Sequence, residues 1–327
     1  MTHDLDDVRR LAEKVRENLQ KCAHDPDVDA VHDTRTGTRR LQATLEDRVR
    51  KLPDGDHAEP VRAAATELLR QLKKIRRAAG PVRDLDVHRR LLEKLMERAL
   101  DPGAERQDAN AATEAQGVPP EPARLDGLET AAGRRMTGVE QQADDLDAWL
   151  KHKRNRLAQD LQDQAGGMLA KLEKRLEDFE AALRVRRGRA ARKKPPGVVA
   201  LDSFARLATE MQLLDAGNLH DFRKGAKKAR YVAELAAQGD AHAQQVGATL
   251  KKLQDEIGDW HDWMVLAEEA HTALGDGAAE LLALLEARRE QHFVCAMKTV
   301  AKLRGRLMGE WLATKAASGL QRSAKAG

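Results

Sequence analysis

Two stretches of the sequence decide the fold: VHDTRTGTRRL at Val31–Leu41 and LHDFRKGAKKARYVAEL at Leu219–Leu235. They share the pattern H-D-x-R-x-G-x-[KR]-[KR] at an offset of 188 residues. In both stretches apolar residues recur at intervals of three and four, which is typical of an amphipathic helix. The cationic residues gather on the opposite flank of each helix. We therefore predict two related helices, each with one core-facing side and one basic side.

A second pair of stretches repeats in the same order. LKKIRRAAGPVRDLDV begins at Leu72 and LKKLQDEIGDWHDWMV begins at Leu250, an offset of 178 residues. Gly80 matches Gly258, and Asp84 matches Asp262. Because two motifs recur in order, the sequence predicts an internally duplicated helical unit.

The predicted boundaries follow from this repeat and from the proline-rich segments. They are a first half at 1–187 with a mobile loop at 101–124, a basic proline-containing linker at 188–198, and a second half at 199–327.

The composition supports an all-helical fold and excludes several classes of protein. Charged residues make up 34% of the 327 residues and aromatic residues only 3%. Strand-rich folds draw heavily on aromatic side chains, whereas abundant Ala, Leu, Arg, Lys and Glu favour helices. No stretch approaches the roughly 18 apolar residues of a membrane span, so we expect no membrane association. A polar N-terminus without a secretory signal and only two cysteines lead us to expect a cytoplasmic protein.

The small net charge of +4 hides basic clusters that contain no acid. Residues Leu69–Arg83 contain six basic residues and no carboxylate, and Phe222–Ala233 contain five basic residues and no carboxylate. Ordinary surfaces mix both signs, which lets Glu–Lys pairs form four residues apart. A stripe of cations repels itself, so we infer that an anionic ligand covers it. Cations that share a helical arc are Arg70, Lys73, Lys74 and Arg77 in one stretch, and Arg223, Lys224, Lys227 and Lys228 in another.

These motifs resemble those of the CHAD family, the conserved histidine α-helical domain. The two HD-x-R stretches look like its signature helices, and AAGPVRDLDV and LQDEIGDWHD look like its Gly-x-x-[RHN]-Asp turns. The resemblance implies an all-α fold of two internally duplicated four-helix-bundle-like halves, related by a pseudo-twofold axis. It also implies a basic surface that binds inorganic polyphosphate. The cellular role stays open between storage, signalling and targeting to polyphosphate granules.

The resemblance also implies which residues contact the ligand. In the first half these are His32, Arg35, Arg39, Arg40, Lys73, Lys74, Arg77 and Arg83; in the second half they are His220, Arg223, Lys227, Lys228, Arg230, Lys251, Lys252 and His261. The charge pattern adds Arg70 and Lys224. Gln42 stands where the family often carries an arginine, which argues against a ligand contact at that position.

Polyphosphate is a flexible polyanion without bases, and the basic arcs carry almost no aromatic side chain on which a base could stack. Arginine grips phosphate oxygens in pairs, and lysine supplies a point charge. The sequence therefore predicts a binding module without catalytic activity, cofactor or metal.

Three alternative functions remain open at this point. The segment Arg184–Lys194 holds seven basic residues and no acid, as in many nucleic-acid-binding linkers. A protein partner with an acidic surface would also suit the basic faces. Repeated His-Asp pairs are compatible with a metal-dependent HD phosphohydrolase, although clustered Arg and Lys would repel the metal. The sequence leaves the oligomeric state and the preferred polyphosphate length undetermined.

Overall fold

The computed structural model describes residues 2–50, 52, 58–99, 129–184, 196–234 and 240–326. The predicted all-α class is confirmed, because these residues form eight α-helices and no strand. The helices are α1 (Thr2–His24), α2 (Val28–Arg50), α3 (Glu59–Ala99), α4 (Glu129–Arg184), α5 (Pro196–Glu210), α6 (Leu219–Glu234), α7 (Ala241–Leu274) and α8 (Ala279–Ala326). A short 3₁₀ turn, Gly275–Ala278, separates α7 from α8. No helix in these residues is long and apolar enough to cross a membrane.

The chain divides into two compact units. Unit 1 comprises Met1–Arg83, Leu157–His261 and Gln291–Gly327, and unit 2 comprises Asp84–Arg156 and Asp262–Glu290. Both units take residues from before and after the predicted linker. The duplication, its pseudo-twofold axis and the division into two halves stay predictions. The predicted loop at 101–124 and the predicted linker as far as residue 195 lie outside the described residues.

The core of unit 1 forms where the sequence places apolar stripes. Leu41 and Leu45 of α2 are fully buried, as are Leu72 and Ile75 of α3. The predicted core face of α6 is confirmed in full, with five residues that have no solvent exposure: Leu219, Phe222, Ala226, Ala229 and Ala233. Burial of each large apolar side chain contributes about 1.5–3 kcal/mol. These stripes therefore fix which way each helix turns its basic side.

Unit 2 is held by polar contacts as well as by an apolar core. His88 is 2% exposed and its Nδ1 lies 2.8 Å from Oε2 of Glu269. Lys153 donates to the other oxygen of Glu269 at 3.1 Å, and the Arg154 guanidinium donates to Asp86. A buried carboxylate needs such partners to remain charged. These contacts account for the ionisable side chains buried in unit 2.

The interpretation of AAGPVRDLDV and LQDEIGDWHD as turns is wrong. α3 continues through Gly80 and Pro81, and α7 continues through Gly258. Proline removes one helical hydrogen bond and restricts the residue before it, but a glycine in that place has no Cβ to clash. Buried Ala79 and Val82 keep the chain helical on both sides of the proline. A second boundary also differs, since α5 begins at Pro196, inside the predicted linker; proline is favoured in the first turn of a helix.

Candidate functional site

The position of α2 is set at its N-terminus and by close packing on α1. The Asp27 carboxylate accepts a hydrogen bond from the backbone N–H of Ala30 at 2.7 Å, which caps the helix. A Cβ added at Gly37 would lie 3.1 Å from Val15 Cγ2 of α1. The helices α5 and α6 pack against each other in the same way. A Cβ added at Gly225 of α6 would lie 2.5 Å from Leu207 Cδ1 of α5. Both motif glycines therefore permit close helix packing, and α2 and α6 bury their apolar flanks while their cations face outward.

A cavity of about 870 Å³ in unit 1 brings these cations together. In the described part of the chain, α2, α3 and α6 each contribute three basic side chains to its wall. They are Arg35, Arg39 and Arg50 from α2, Arg76, Arg77 and Lys73 from α3, and Lys224, Lys227 and Lys228 from α6. We call this the first cavity; its remaining lining residues are Gln42, Glu46, Asp47, Tyr231 and Val232.

The two carboxylates of the first cavity do little to neutralise it. Asp47 is paired with the guanidinium of Arg50 on the next turn of the same helix. Glu46 accepts a hydrogen bond from the Gln42 amide. Against these two carboxylates stand nine basic side chains, of which Lys224 also pairs with Asp221 on its own helix, so the lining carries an excess of positive charge.

The crowding of these cations lowers the pKa values of the half-buried ones. Burial, followed by the nearby guanidinium groups of Arg39 and Arg223, lowers the pKa of Lys227 to about 7. Burial and the neighbouring Arg39 also lower the pKa of Arg76, whose guanidinium lies 3.4 Å from the backbone carbonyl of Thr38. Desolvation and like charge both disfavour a cation. A bound polyanion would offset the repulsion between like charges and so raise these pKa values again.

Contacts between the motifs of α2 and α3 hold Arg35 beside α3. A Cβ added at Gly80 would lie 2.9 Å from Arg35 Nη1, so the bare backbone leaves room for that guanidinium. Three residues later, Arg83 Nε donates a hydrogen bond to His32 Nδ1 at 3.2 Å. The motif histidine of α2 is thus hydrogen-bonded to Arg83, which occupies the [RHN] position of the Gly-x-x-[RHN]-Asp motif in α3.

The motifs of α6 and α7 make the matching contacts. A Cβ at Gly258 would lie 2.7 Å from Arg223 Nη2, and Arg223 Nε donates to the backbone carbonyl of Gln254 at 3.1 Å. The His220 ring stacks on the His261 ring with centroids 4.2 Å apart. Burial, together with the nearby His261, lowers the pKa of His220 to about 4, so this ring is neutral near pH 7.

The structure brings together some of the predicted ligand residues and separates others. Seven of them line the first cavity: Arg35, Arg39, Lys73, Arg77, Lys224, Lys227 and Lys228. His32 and Arg83 contact each other, as do His220 and His261, and Arg223 lies on Gly258. Lys74 lines a separate cavity together with Arg77.

The five residues of these motif contacts line neither cavity, and neither do five further predicted ligand residues, three of which pair with carboxylates on their own helices. The five further residues are Arg40, Arg70, Arg230, Lys251 and Lys252. Arg70 pairs with Glu67, Arg230 with Glu234, and Lys251 with Asp255. Ligand contacts at these five residues stay predictions.

Sequence analysis left two cations of the first cavity, Arg76 and Arg50, out of the predicted ligand set, and it argued against the neutral Gln42. Arg76 lies directly before Arg77 in the same acid-free stretch, and Arg50 lies eleven residues after Arg39, on the same face of α2. Extending the helical period by three turns beyond Arg39 would have found Arg50. Gln42 lines the cavity although its neutral side chain argued against a contact. The described residues contain no group of His, Cys, Asp and Glu arranged to hold a metal ion.

The fold and the first cavity define an all-helical protein with a polycationic cavity built by three helices. The family model described as the CHAD domain matches residues 6–271, and the chain belongs to the CHAD family. A comparison with curated protein sequences found no match.

Proposed function

We propose that this protein binds inorganic polyphosphate, or a closely similar phosphate polymer, in the first cavity. The observation that carries the proposal is the convergence of nine cations from α2, α3 and α6 on one cavity with two carboxylates. A linear chain of phosphates carries charge along its whole length, so it can contact all three helices at once. Membership of the CHAD family supports this ligand class.

The chemistry of the lining favours a bare polyanion over a nucleic acid. Tyr231 is the single aromatic residue among the described lining residues. Its ring is flanked by the Lys227 ammonium at 5.9 Å and the Arg230 guanidinium at 5.1 Å. Binders of single-stranded nucleic acids usually stack successive bases on several aromatic rings. The five arginines of the cavity instead offer planar donor pairs that match phosphate oxygens.

We propose a binding role without catalysis. CHAD domains generally serve as binding modules. In the cell, such a module would reside in the cytoplasm and associate with polyphosphate granules.

Calorimetric titration with long-chain polyphosphate, pyrophosphate and duplex DNA at two salt concentrations tests the ligand. We expect the tightest binding with long-chain polyphosphate and a steep loss of affinity with added salt, because each phosphate contact releases a counterion. Polyphosphate should displace bound DNA at equal charge. Tighter binding of DNA, with no displacement by polyphosphate, would make nucleic acid the ligand instead.

Charge reversal tests the cavity. Arg39→Glu combined with Lys227→Glu removes two phosphate contacts and adds two repulsions. We expect an affinity loss of about 100-fold or more, since each charge-assisted hydrogen bond contributes about 1.5–3 kcal/mol. Circular dichroism and thermal unfolding check that the helices remain intact.

The matched control is Lys14→Glu combined with Lys298→Glu, which gives the same change in net charge. Both lysines are exposed and line neither cavity. We expect a loss of less than about threefold from long-range electrostatics. Equal losses in the two double variants would show that binding depends on total charge and would overturn the cavity assignment.

A further inference from the structure

A second cavity of about 630 Å³ lies beside the first, between α3 and α4 of unit 1. α3 contributes Gln71, Lys74, Arg77 and Ala78, and α4 contributes Asp163, Gln164, Gly167, Met168 and Lys171. Arg77 lines both cavities. The two cavities are therefore neighbours that share one guanidinium group.

The helical period explains how Arg77 serves both cavities. Lys73 and Arg77 are four residues apart and face the first cavity, whereas Lys74 and Arg77 are three residues apart and face the second. Residues at these two spacings are neighbours on a helix surface. Arg77 consequently stands at the border between two adjoining faces of α3.

The second cavity also carries an excess of positive charge. Lys74, Arg77 and Lys171 line it, against the single carboxylate of Asp163 among the described lining residues. Gln71 is 5% exposed, and its amide donates to the backbone carbonyl of Met168 at 2.9 Å. That bond fixes α3 against α4 at the cavity, so its wall is formed by two packed helices.

Gly167 gives the second cavity a bare backbone wall. Glycine within a helix costs up to about 1 kcal/mol relative to alanine, and a packing requirement at the same position is one reason for that cost. Gly37 and Gly225 have one, because a Cβ there would press on a neighbouring helix. A Cβ at Gly167 would meet no atom within 4 Å, so packing does not require this glycine. A side chain at this position would instead project beside the space that Lys74 and Lys171 surround.

We propose that the second cavity is a further anion-binding subsite, which takes up phosphates of a polyphosphate chain that continues past Arg77 from the first cavity. The subsite binds phosphate oxygens through Lys74, Arg77 and Lys171, and Gly167 leaves room for the polymer beside α4. This inference rests on the proposed function. It makes long polyphosphate the preferred ligand, since pyrophosphate and tripolyphosphate are short enough to be held by the first cavity alone.

The experiment compares long-chain polyphosphate with tripolyphosphate on the full chain and on two variants of α4. Lys171→Glu is expected to weaken long-chain binding about tenfold and to lower the slope of log affinity against log salt by about one. Gly167→Gln adds neutral bulk to the wall and should weaken long-chain binding several-fold. Both variants should bind tripolyphosphate as the unmodified chain does.

Gly305→Gln is the matched control for the added bulk. Gly305 lies within α8, is exposed, has open space around a Cβ and lines neither cavity. Because glutamine forms helices better than glycine does, neither glycine variant threatens the fold. We expect Gly305→Gln to leave the affinity for both ligands unchanged.

The possible outcomes separate this inference from the proposed function. If neither polyphosphate binds the unmodified chain, the proposed function fails. If both bind, but Lys171→Glu and Gly167→Gln bind the long chain as tightly as Gly305→Gln does, the second subsite is wrong and the proposed function stands. Equal losses for long and short ligands would also overturn the subsite, because they would show a general disturbance of the first cavity.

Discussion

The helix pair α2 and α3 carries the same two motifs as the pair α6 and α7, and the contacts between these motifs correspond position by position. In each pair the motif arginine lies over the motif glycine: Arg35 on Gly80, and Arg223 on Gly258. In each pair the motif histidine meets the residue three positions after that glycine: Arg83 in one and His261 in the other. Bare glycine backbone and a half-buried arginine therefore form one recurrent helix contact.

The two helix pairs differ in where the other basic side chains of α3 and α7 lie. Lys73, Arg76 and Arg77 of α3 line the first cavity, whereas no residue of α7 lines it in the described chain. At the positions of α7 that match Arg76 and Arg77 stand Gln254, which is 3% exposed, and Asp255, which holds the Lys251 ammonium. The helix contact recurs in both pairs, but only the α3 copy adds cations to the cavity. A repeated motif thus identifies repeated packing more reliably than it identifies repeated ligand contacts.

The largest expected change in polyphosphate affinity comes from reversing the charge at one position where the two helix pairs differ. Arg77→Asp places in α3 the residue type that α7 has, and it removes the guanidinium shared by both cavities. We expect long-chain polyphosphate affinity to fall about 10- to 100-fold, since a charge-assisted contact becomes a repulsion. Isothermal titration calorimetry measures this loss.

The reciprocal substitution, Asp255→Arg, is the control. It releases Lys251 and adds a cation, but at a position that lines neither cavity. Its affinity should stay within about threefold of that of the unmodified chain. A large gain in affinity would show that α7 also contacts the polymer and would remove the difference between the two pairs.

A second prediction concerns the pH dependence contributed by Lys227 of α6. Its folded pKa of about 7 lies below the ordinary value of 10.5, so the free protein carries a partly neutral amine there near pH 7. A bound polyanion raises this pKa, and binding above pH 7 therefore takes up a proton. Affinity should be flat with pH below about 7 and fall above it, by at most tenfold per pH unit for one proton.

Calorimetry in buffers of different ionisation enthalpy measures the proton uptake directly. Lys227→Arg serves as the reference, because arginine stays protonated throughout this range. The uptake should disappear in that variant while tight binding is kept. Undiminished uptake in Lys227→Arg would assign the proton to another group, such as the end of the polymer.

The smallest predicted effects come from adding one methyl group at the matched glycines. Gly258→Ala would displace the Arg223 guanidinium and break its hydrogen bond to Gln254. A bond to a charged group contributes about 1.5–3 kcal/mol and helix propensity returns about 1 kcal/mol, so we expect a net loss of about 1 kcal/mol in unfolding free energy. Polyphosphate affinity should stay within about twofold, because Arg223 does not line the first cavity.

Gly80→Ala should instead affect ligand binding, because it pushes on Arg35, which does line the cavity. We expect a two- to threefold change in affinity, roughly the effect of moving one contact among many. Urea unfolding and calorimetry on both variants measure the two quantities. The contrast would be lost if Gly258→Ala weakened binding more than Gly80→Ala does.

Local sequence patterns determined the fold class, the buried flanks and the basic flanks of the helices. The buried set on α6 could be read from spacing alone, because the period of an α-helix is fixed by its own backbone. Close packing at Gly37 and Gly225 is compatible with the sequence, because a glycine inside a helix lets a neighbouring helix approach closely. Whether a helix continues through Gly80 and Pro81 could not be predicted locally, because buried neighbours outweigh a weak propensity.

Only the tertiary structure decided which cations share a cavity. Lys73 and Lys251 occupy the same position in the two matching motifs. Lys73 lines the first cavity, whereas Lys251 pairs with Asp255. Arg76 lines the cavity although it lies outside the helical arc of Arg70, Lys73, Lys74 and Arg77. A sequence gives the direction of a side chain around its own helix axis, whereas a shared cavity depends on how several helices pack. That packing is set by apolar contacts between residues far apart in the chain, and no local period encodes it.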